Sequence, residues 1–525
     1  MVLPWMILLL IFGGLLAWVL GRSGPAGPRI VSYSVLLVNL ILAALTWTGV
    51  YGSEIPAAEW IAEFHLPWVP GLGIGIDLAM DGLSLLLVIL TLVIGIVAVA
   101  STRTQDESQP GFFHLCLLWT LSGVLGVFLA MDLILFSFFW ELMLIPMFFL
   151  IAVWGHEQRA YAAIKYFIFT QFSGLFLLAS ILGLFFIHAN ATGNFTFYLP
   201  QLIGTKTGPG ASMLLMLGFV AAFAVKLPVV PFHTWLPDAH AEAPTAGSII
   251  LAALLLKTGA YGLLRLALPL FPAASGYIAP AALALGVAGV LYGAFMSYAQ
   301  TDLKRLVAYT SVSHMGFVLL GIYAGTAIAL QGAILQIICH AFSTGALFVI
   351  AGFLQDRLQT RELGRMGGLW PVMPRLGSVT IFFALASMGL PGIGNFIAEF
   401  LVLLGTFQVN IPAAVLASAG LVFSTIYALT MVRRVFFGPP PASPVELSLP
   451  DLSWREAAVI APMIAILLWI GIYPQPLMNT AMNTVSVKAG RTGIISTGGM
   501  AKDTGPLRIE KIFPDRRQPG GKGEE

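Results

Sequence analysis

The sequence predicts an all-α polytopic membrane protein with about fourteen transmembrane helices. Hydrophobic residues make up 58% of the chain, and its mean hydropathy is +0.91. Only 10% of the residues are Asp, Glu, Lys or Arg, whereas soluble domains carry about 25%. Because one membrane helix needs about 20 apolar residues, 525 residues of this composition hold on the order of fourteen spans.

Apolar runs define these spans along the chain. They begin near Val2, Ile30, Gly82, Phe113, Leu133, Tyr166, Met213, Gly247, Ile278, Leu306, Ala327, Val372, Ile411 and Ala457. No Lys or Arg precedes the first run, which favours a membrane span over a secretory signal. After Ile472 the apolar pattern is lost, so we expect a polar tail.

The basic residues of the predicted loops are distributed asymmetrically. If Met1 faces outward, only Lys206 and Arg265 fall in outer loops. Thirteen fall in cytoplasmic loops: Arg22, Arg29, Arg103, Arg159, Lys304, Arg305, Arg357, Arg361, Arg365, Arg375, Arg433, Arg434 and Arg455. The positive-inside rule therefore predicts this orientation, with both termini outside. A loop with five acidic residues then lies outside as well: Glu54, Glu59, Glu63, Asp77 and Asp81.

Composition and motifs exclude several classes of function. The net charge is +2 and the basic residues are scattered, so no nucleic-acid footprint is present. Cys116 and Cys339 lack the spacing of an iron-sulfur ligand set and are predicted packing residues. The glycine-rich segment at 71–77 is not a GxGxxG motif in a βαβ unit, so no nucleotide site is predicted.

Four ionisable side chains lie deep inside apolar spans. They are Glu141 in LFSFFWELMLIP, Lys226 in FVAAFAVKLPVV, Lys257 in IILAALLLKTGAY and Glu399 in PGIGNFIAEFLVLLG. An unpaired charge at the centre of a membrane helix costs about 3 kcal/mol even on lenient scales. We therefore expect these groups to face each other or internal water, an arrangement typical of a proton path.

Two spans are interrupted by proline, at Pro228 and Pro391. Proline removes an intrahelical hydrogen bond, so each helix should break there and free carbonyls that need partners. Each break lies near a buried ion, Lys226 and Glu399 respectively, in a similar Leu-Pro context. This pattern indicates a transporter with two internal repeats and discontinuous helices, and it leaves the relative direction of the repeats open.

The individual ions allow more than one interpretation. Glu141 and Lys226 form either a static ion pair between helices or a tunable pair, in which movement of the carboxylate loads and unloads a proton on Lys226. Lys257 either extends towards an interface or lies at mid-membrane, where ten residues of helix place it. His314 and His340 add two neutral-pH titratable groups, each equally readable as a core residue; together they would bridge Lys257 and Glu399.

Further polar residues carry weaker signals. His233, Asp238, His240 and Glu242 follow the seventh span and suggest a metal site, but their spacing matches no common signature. Lys165 and Asp132 lie at span ends, where they serve as ordinary anchors or as part of a channel mouth.

Three stretches carry a family resemblance. They are the segment at 226–265, KLPVVPFHTWLPDAHAEAPTAGSIILAALLLKTGAYGLLR, and the shorter YTSVSHMGFVLLGIY and FFWELMLIPMFFLIAVWGH. With them, the chain from Val2 to about Pro476 resembles the antiporter-like membrane subunits of respiratory complex I and of the multisubunit cation/proton antiporters. Two sister types are expected to carry Lys at the position of Glu399, so the resemblance favours the type that carries Glu. No match is visible from Leu477 onwards.

The resemblance implies a specific architecture. It is two inverted five-helix repeats with broken seventh and twelfth helices and both termini on the periplasmic side of a bacterial inner membrane. The three N-terminal helices would then lie in 1–112, the repeats in 113–268 and 277–434, the last helix in 456–476 and the tail in 477–525.

The resemblance also implies roles for the site residues. Glu141 would modulate Lys226, Lys257 would connect the two halves, His314 and His340 would carry protons, and Glu399 would serve the outlet. No cofactor is implied in this chain. Flavin, iron-sulfur clusters and quinone would belong to partner subunits of complex I, among them sister antiporter-like subunits.

Three functions follow from this reading. The leading hypothesis is proton translocation coupled to electron transfer from NADH to quinone in other subunits. The second is a subunit of a standalone sodium/proton antiporter without a redox partner. The third is a structural spacer whose charges form static pairs.

Overall fold

The computed structural model describes residues 2–51, 60–102, 108–439 and 449–481. Arg103, Glu54 and Glu59 and nearly all of the predicted polar tail, 482–525, lie outside the described residues. Within the described ranges the chain is almost entirely helical, as the sequence predicts.

Six long helices, α1 to α6, come first in the chain and are followed by the short helix α7. They span Val2–Leu20, Ala26–Tyr51, Gly82–Ser101, Pro110–Leu129, Leu133–Trp154 and Arg159–Thr192, and α7 spans Leu199–Leu202. Asp81 and Asp132 begin α3 and α5 as N-caps, each accepting backbone hydrogen bonds from the first turn.

The predicted seventh span is broken. Helix α8, Pro209–Lys226, ends at the buried lysine, and α9, Trp235–Glu242, resumes after a non-helical stretch that contains Pro228. The eighth span is continuous but irregular. It consists of α10, Thr245–Ile250, α11, Leu256–Gly262, and α12, Leu268–Leu270, joined by π-helical segments at Leu251–Leu255 and Leu263–Ala267.

The second half repeats this sequence of long helices and one break. Helices α13 to α15 span Pro272–Ala299, Leu303–Tyr323 and Ala327–Leu358. The break around Pro391 separates α16, Pro374–Ser387, from α17, Gly394–Phe407. Helix α18, Ile411–Val432, ends in a π-helical segment, Arg433–Phe437, and α19 spans Trp454–Ile472. Residues 475–481 form one further short helix.

Four short strands in the segment before α3 were not expected from the sequence. Strands β1, Ala62–Phe64, and β4, Leu78–Met80, pair antiparallel, and β2, Pro67–Val69, pairs with β3, Ile74–Gly75. Glycine at 73 has φ +67°, a conformation that closes the inner hairpin and that other residues adopt rarely. The predicted outer loop is therefore an ordered double hairpin.

The prediction of a polytopic all-α membrane protein is confirmed. In the described ranges, 13 helices are long and apolar enough to cross a membrane. The remaining predicted span is the twelfth. It is broken into α16 and α17, and each half is shorter than the other spans. The inverted relation of the repeats and the domain boundaries stay predictions.

The three most enclosed spans carry Lys257, His314 and His340. The apolar window of α15 is 100% buried, and those of α14 and of Thr245–Leu270 are 94% buried, against 22% for α2. Glycines allow the tightest helix contacts: a Cβ on Gly123 would lie 2.5 Å from the backbone nitrogen of Met143, and one on Gly332 would lie 2.6 Å from that of Val402. The helices of the interior are therefore closely packed.

Arg265 corrects one element of the orientation argument. The sequence placed Arg265 in an outer loop, but it lies in a π-helical segment, is 8% exposed and pairs with the buried Asp81. Its guanidinium also donates to the Tyr261 hydroxyl at 3.1 Å. The ion pair between Arg265 and Asp81 therefore joins α3 to the eighth span. Because Arg265 is buried, it gives little information on the orientation of the chain in the membrane.

We predict that Asp132 makes stability pH-dependent. Its carboxylate accepts backbone hydrogen bonds from Ile134 and Leu135, yet burial raises the pKa of Asp132 from 3.8 to about 6. The folded protein therefore binds more protons than the unfolded chain between these values. The stabilisation is complete below the unfolded pKa and is lost as the pH rises through about 6.

Asp132→Asn keeps an acceptor for the cap and removes the charge, so it should flatten the pH dependence of the thermal midpoint of the purified protein between about pH 4 and 7. Asp132→Ala should lower the midpoint at every pH, by the equivalent of about 1 kcal/mol, because the cap is lost. A wild-type pH slope in Asp132→Asn would contradict the assignment.

Candidate functional site

Lys257 occupies the centre of the site. It lies in α11 between the two π-helical segments and is fully buried. Its Nζ donates to the carbonyl of Ala252 at 2.7 Å and contacts His340 Nδ1 at 2.6 Å. The alternative in which Lys257 extends towards an interface is therefore wrong.

A series of contacts extends from Lys257 through His340 and His314 to Glu399. The rings of His340 in α15 and His314 in α14 meet edge to face, with centroids 5.3 Å apart. His314 Nε2 lies 3.7 Å from Glu399 Oε1. Gln336 donates to the same oxygen at 3.1 Å, and each of these side chains is at most 2% exposed. Four residues from four different helical segments thus form a continuous polar line inside the bundle.

The helix breaks supply part of this line. Ser387 is the last residue of α16, and its carbonyl, released from the helix ladder, receives the Nε2–H of His314 at 2.9 Å. At the other break, the indole of Trp235 donates to the carbonyl of Val225 at 3.0 Å. The expectation that freed carbonyls need polar partners therefore holds at both breaks.

Lys226 lies at the C-terminal end of α8 and is fully buried. Its Nζ has no hydrogen-bond partner among the described groups, and it lies 5.7 Å from the ring centre of Trp140 and 5.4 Å from that of Tyr166. Aromatic faces and the negative end of a helix both attract a cation. A Cβ on Gly259 would come 3.0 Å from Lys226 Cβ, so the eighth span passes close to this lysine.

Glu141 lies beside Lys226 without forming a close ion pair in the described part of the chain. No oxygen of Glu141 comes within 4.0 Å of the lysine nitrogen. Its side chain is half-buried in α5, interacts electrostatically with Gln171 of α6 and lies against Gly174. The static ion pair is thus not the arrangement seen, and the tunable pair stays a prediction.

A polar cavity of about 460 Å³ was not predicted. It opens between α3, α5, α10 and α15, and His156, Thr245 and Gln355 belong to its lining. Gln355 donates to His156 Nε2 at 3.1 Å, and Lys304 Nζ lies 3.5 Å from the same nitrogen. Burial, together with the nearby cations Lys304 and Arg361, lowers the pKa of His156 to about 4, so its ring is a neutral acceptor at pH 7.

His240 lies between this cavity and Lys257. It is fully buried and stacks on Phe348 with ring centroids 4.5 Å apart, and neither ring nitrogen has a hydrogen-bond partner among the described groups. Lys304 and Lys257 both act on it electrostatically. Sequence reasoning read His240 only as a metal candidate, because nothing in the local pattern shows which distant lysines approach it.

The metal alternative is not supported in the described ranges, where no group of three or more His, Cys, Asp or Glu could hold an ion. The four candidate residues have separate neighbours. Asp238 pairs with Lys165 at 2.6 Å and with Arg305, while Glu242 pairs with Arg361 at 3.1 Å. Lys165 is therefore an anchored cation, one of the two readings that the sequence left open.

With this geometry in place, comparison with known proteins is informative. The family described as "NADH:quinone oxidoreductase/Mrp antiporter, TM" matches residues 130–425, which include all six predicted site residues. The chain belongs to this family. NADH-quinone oxidoreductase subunit M of Pseudomonas aeruginosa is 51% identical over 489 residues, which cover 91% of this chain and 96% of that protein. Subunit M of Escherichia coli K12 is 50% identical over 493 residues, covering 92% and 97%.

Solved structures of the family have the same fold. A chain of respiratory complex I from Thermus thermophilus with bound NADH superposes with a TM-score of 0.81 at 29% identity, covering 93% of this chain and 100% of that one. A chain of the Mrp complex from Dietzia sp. reaches the same TM-score at 21% identity, with 94% and 99% coverage. The predicted resemblance, including the sister type with Glu at position 399, agrees with the relatives named subunit M.

We predict that Lys226 lowers the stability of the fold. Because its ammonium has no hydrogen-bond partner among the described groups, Lys226→Met should replace a desolvated charge by an apolar chain of similar length and raise the free energy of unfolding by about 2 kcal/mol. Thermal unfolding of the purified protein measures this change. Lys206→Met, at an exposed lysine, is the control and should have no effect. A lower midpoint for Lys226→Met would show that the charge stabilises the fold.

Proposed function

We propose that this chain is the M-type membrane-arm subunit of a bacterial NADH:quinone oxidoreductase and that it moves protons across the membrane without redox chemistry of its own. The observation that carries the proposal is the buried series of contacts from Lys257 through His340 and His314 to Glu399. Amines, imidazoles and carboxyls in contact inside a membrane are the groups that pass protons.

The proton path begins at the polar cavity. His156 and Lys304 line the way inward, and His240, with two free ring nitrogens, receives the proton before Lys257. Lys257 then donates to His340 Nδ1, and His340 releases the proton bound at its Nε2 towards His314. His314 passes it to Glu399, whose carboxylate is held by Gln336. Lys257 and His340 are in hydrogen-bond contact and His314 lies 3.7 Å from Glu399, while the transfers at His240 would need bridging water.

Glu141 and Lys226 control the loading of this path. The lysine is held away from the carboxylate, over aromatic rings, and approach of Glu141 would favour the charged amine. Because Glu141 is reached from the outer face of α5 and α6, a neighbouring subunit can move it. Energy from electron transfer elsewhere would arrive in this way.

Partner subunits complete the assembly. The face that carries Glu141 exposes large apolar side chains, among them Phe138 at 52% and Phe172 at 60% exposure. A carboxylate facing lipid is costly, so this face is suited to a sister antiporter-like subunit, and the rest of the surface to the lipid bilayer. Flavin, iron-sulfur clusters and quinone belong to other subunits of the complex.

The orientation and internal symmetry belong to the same proposal. Both termini lie on the periplasmic side of the inner membrane, and the two halves, 113–268 and 277–434, are inverted repeats. The cavity beside His156 then opens to the cytoplasm, since the basic loop residues cluster at that end. A standalone sodium/proton antiporter is the alternative, favoured by the fold shared with the Mrp complex; its likeness at 21% identity reaches the fold alone. Iron-sulfur subunits co-purifying in mild detergent would reject that alternative.

We predict that substitutions of Glu141 and Lys226 affect electron transfer and proton pumping differently. Lys226→Ala and Glu141→Ala should retain part of the NADH:quinone activity and lose at least half of the protons pumped per electron, because the loading step is removed. Reconstituted complex with a pH-sensitive dye measures the ratio. An unchanged ratio in both variants would overturn the proposed function.

We also predict that His240 is needed for uptake from the cavity. His240→Leu should reduce coupled turnover by at least tenfold, a loss typical of a missing proton-transfer group, and Lys304→Met should reduce it less. His188→Leu is the matched control, since His188 is also a buried histidine but bonds Thr205 near the far end of α6. Equal effects of the His240 and His188 substitutions would place the inlet elsewhere.

A further inference from the structure

Gly174 lies in the interior of α6 and faces α5. Glycine is less favourable than alanine inside a helix, so its position calls for a reason. A Cβ at this position would overlap Glu141 Oε1, and its next two nearest atoms would be Glu141 Cδ at 3.3 Å and Trp140 Cδ1 at 3.7 Å. The atom that forbids a side chain here is therefore the carboxylate oxygen.

This environment differs from that of glycines that serve helix packing. Around Gly123 of α4, the three nearest atoms to an added Cβ belong to Met143, its backbone nitrogen and Cα among them. At Gly174 none of the three nearest atoms is backbone. Close approach of two helices thus explains Gly123 and does not explain Gly174.

The carboxylate is held from two positions of α6. Gln171 lies one turn before Gly174 and acts electrostatically on Glu141, and Gly174 leaves the space that the carboxylate oxygen occupies. The Glu141 side chain is only half-buried, so packing does not enclose it on every side. Its carboxylate oxygen occupies the space left at Gly174 and interacts electrostatically with Lys226.

The second half contains a similar arrangement. A Cβ on Gly389 would lie 2.7 Å from Glu399 Oε2, so this buried acid also lies against a glycine. Gly389 has φ +73°, a conformation that itself favours glycine. Position 174 is therefore the cleaner one to test, because its backbone is ordinary helix.

We propose that Gly174 is a positioning residue for the proton-translocating site: it provides the space that holds the Glu141 carboxylate near Lys226. The inference rests on the proposed function of that pair. Glu141 Oε1 is the free end of a flexible side chain, so Gly174→Ala should displace the carboxylate and leave the fold intact. Helix α6 should even gain stability from alanine, and stability and pumping should change in opposite directions.

The experiment uses the whole reconstituted complex with five variants: Gly174→Ala, Gly183→Ala, Glu141→Asp, Glu141→Gln and the double variant Gly174→Ala/Glu141→Asp. Gly183 is the matched control, since it lies in the same helix and an added Cβ there meets only the side chain of Leu215. The measurements are protons pumped per electron, thermal midpoint and the infrared band of the Glu141 carboxyl, identified by its loss in Glu141→Gln.

We expect Gly174→Ala to lower the pumping ratio at least twofold, to shift the Glu141 band and to leave the midpoint equal or higher. Gly183→Ala should leave ratio and band unchanged. The double variant, with a carboxylate shorter by one methylene, should pump better than Gly174→Ala. This rescue is the result that a purely structural role for Gly174 would not produce.

The results that would contradict the inference about Gly174 can be told apart from one another. A normal ratio and an unshifted band in Gly174→Ala, or no rescue in the double variant, overturn the inference. If Gly174→Ala fails to assemble, assembly of the double variant supports the inference, and failure of both overturns it. If Glu141→Gln itself pumps normally, the proposed function of the pair fails, which is separable from a failure at Gly174.

Discussion

The structure depends on one constraint: a charge placed in the membrane interior must have polar neighbours, because hydrocarbon provides none. Lys257 meets it through a carbonyl and a histidine, and Glu399 through a glutamine and a second histidine. The spans that carry Lys257, His314 and His340 are the most enclosed of the 13 spans in the described ranges. The need to satisfy buried charge thus brings four helical segments together and aligns their titratable atoms.

The broken helices serve this constraint directly. A continuous helix offers no free carbonyl, whereas the ends of α8 and α16 offer several. At Ser387 such a carbonyl positions the ring of His314, and at Val225 one is bound by Trp235, whose ring packs near Tyr166 beside Lys226. Both breaks lie beside buried site residues, Lys226 at the first and His314 at the second. The breaks that remove helix hydrogen bonds therefore also supply the carbonyls that bind side chains at the site.

The site lysines differ in their partners from other cations of the protein. Lys165 and Arg361, outside the polar line, have close carboxylate partners in Asp238 and Glu242. Among the described groups, Lys226 has no hydrogen-bond partner, and Lys257 contacts a carbonyl and a histidine. Strong pairs fix charge in place, while weakly satisfied groups can change their protonation. Glu141 is intermediate, since it is half-exposed at a face that another subunit can cover and is held from inside by Gln171 and the space at Gly174.

Much of this protein was readable from local sequence. Prolines at 228 and 391 coincide with the breaks, whereas Pro146, Pro280 and Pro462 lie inside continuous helices. Twenty-residue apolar runs determine membrane helices, and a charge inside an apolar run determines where burial must be compensated. These properties depend on neighbours along the chain, so the sequence contains them. The double hairpin before α3, the buried pairing of Arg265 with Asp81, the cavity, and the place of His240 between Lys304 and Lys257 depended on contacts between residues far apart in the chain. Only tertiary packing decides those, because the same histidine or arginine is a loop residue, a core residue or a relay according to which helix lies opposite it.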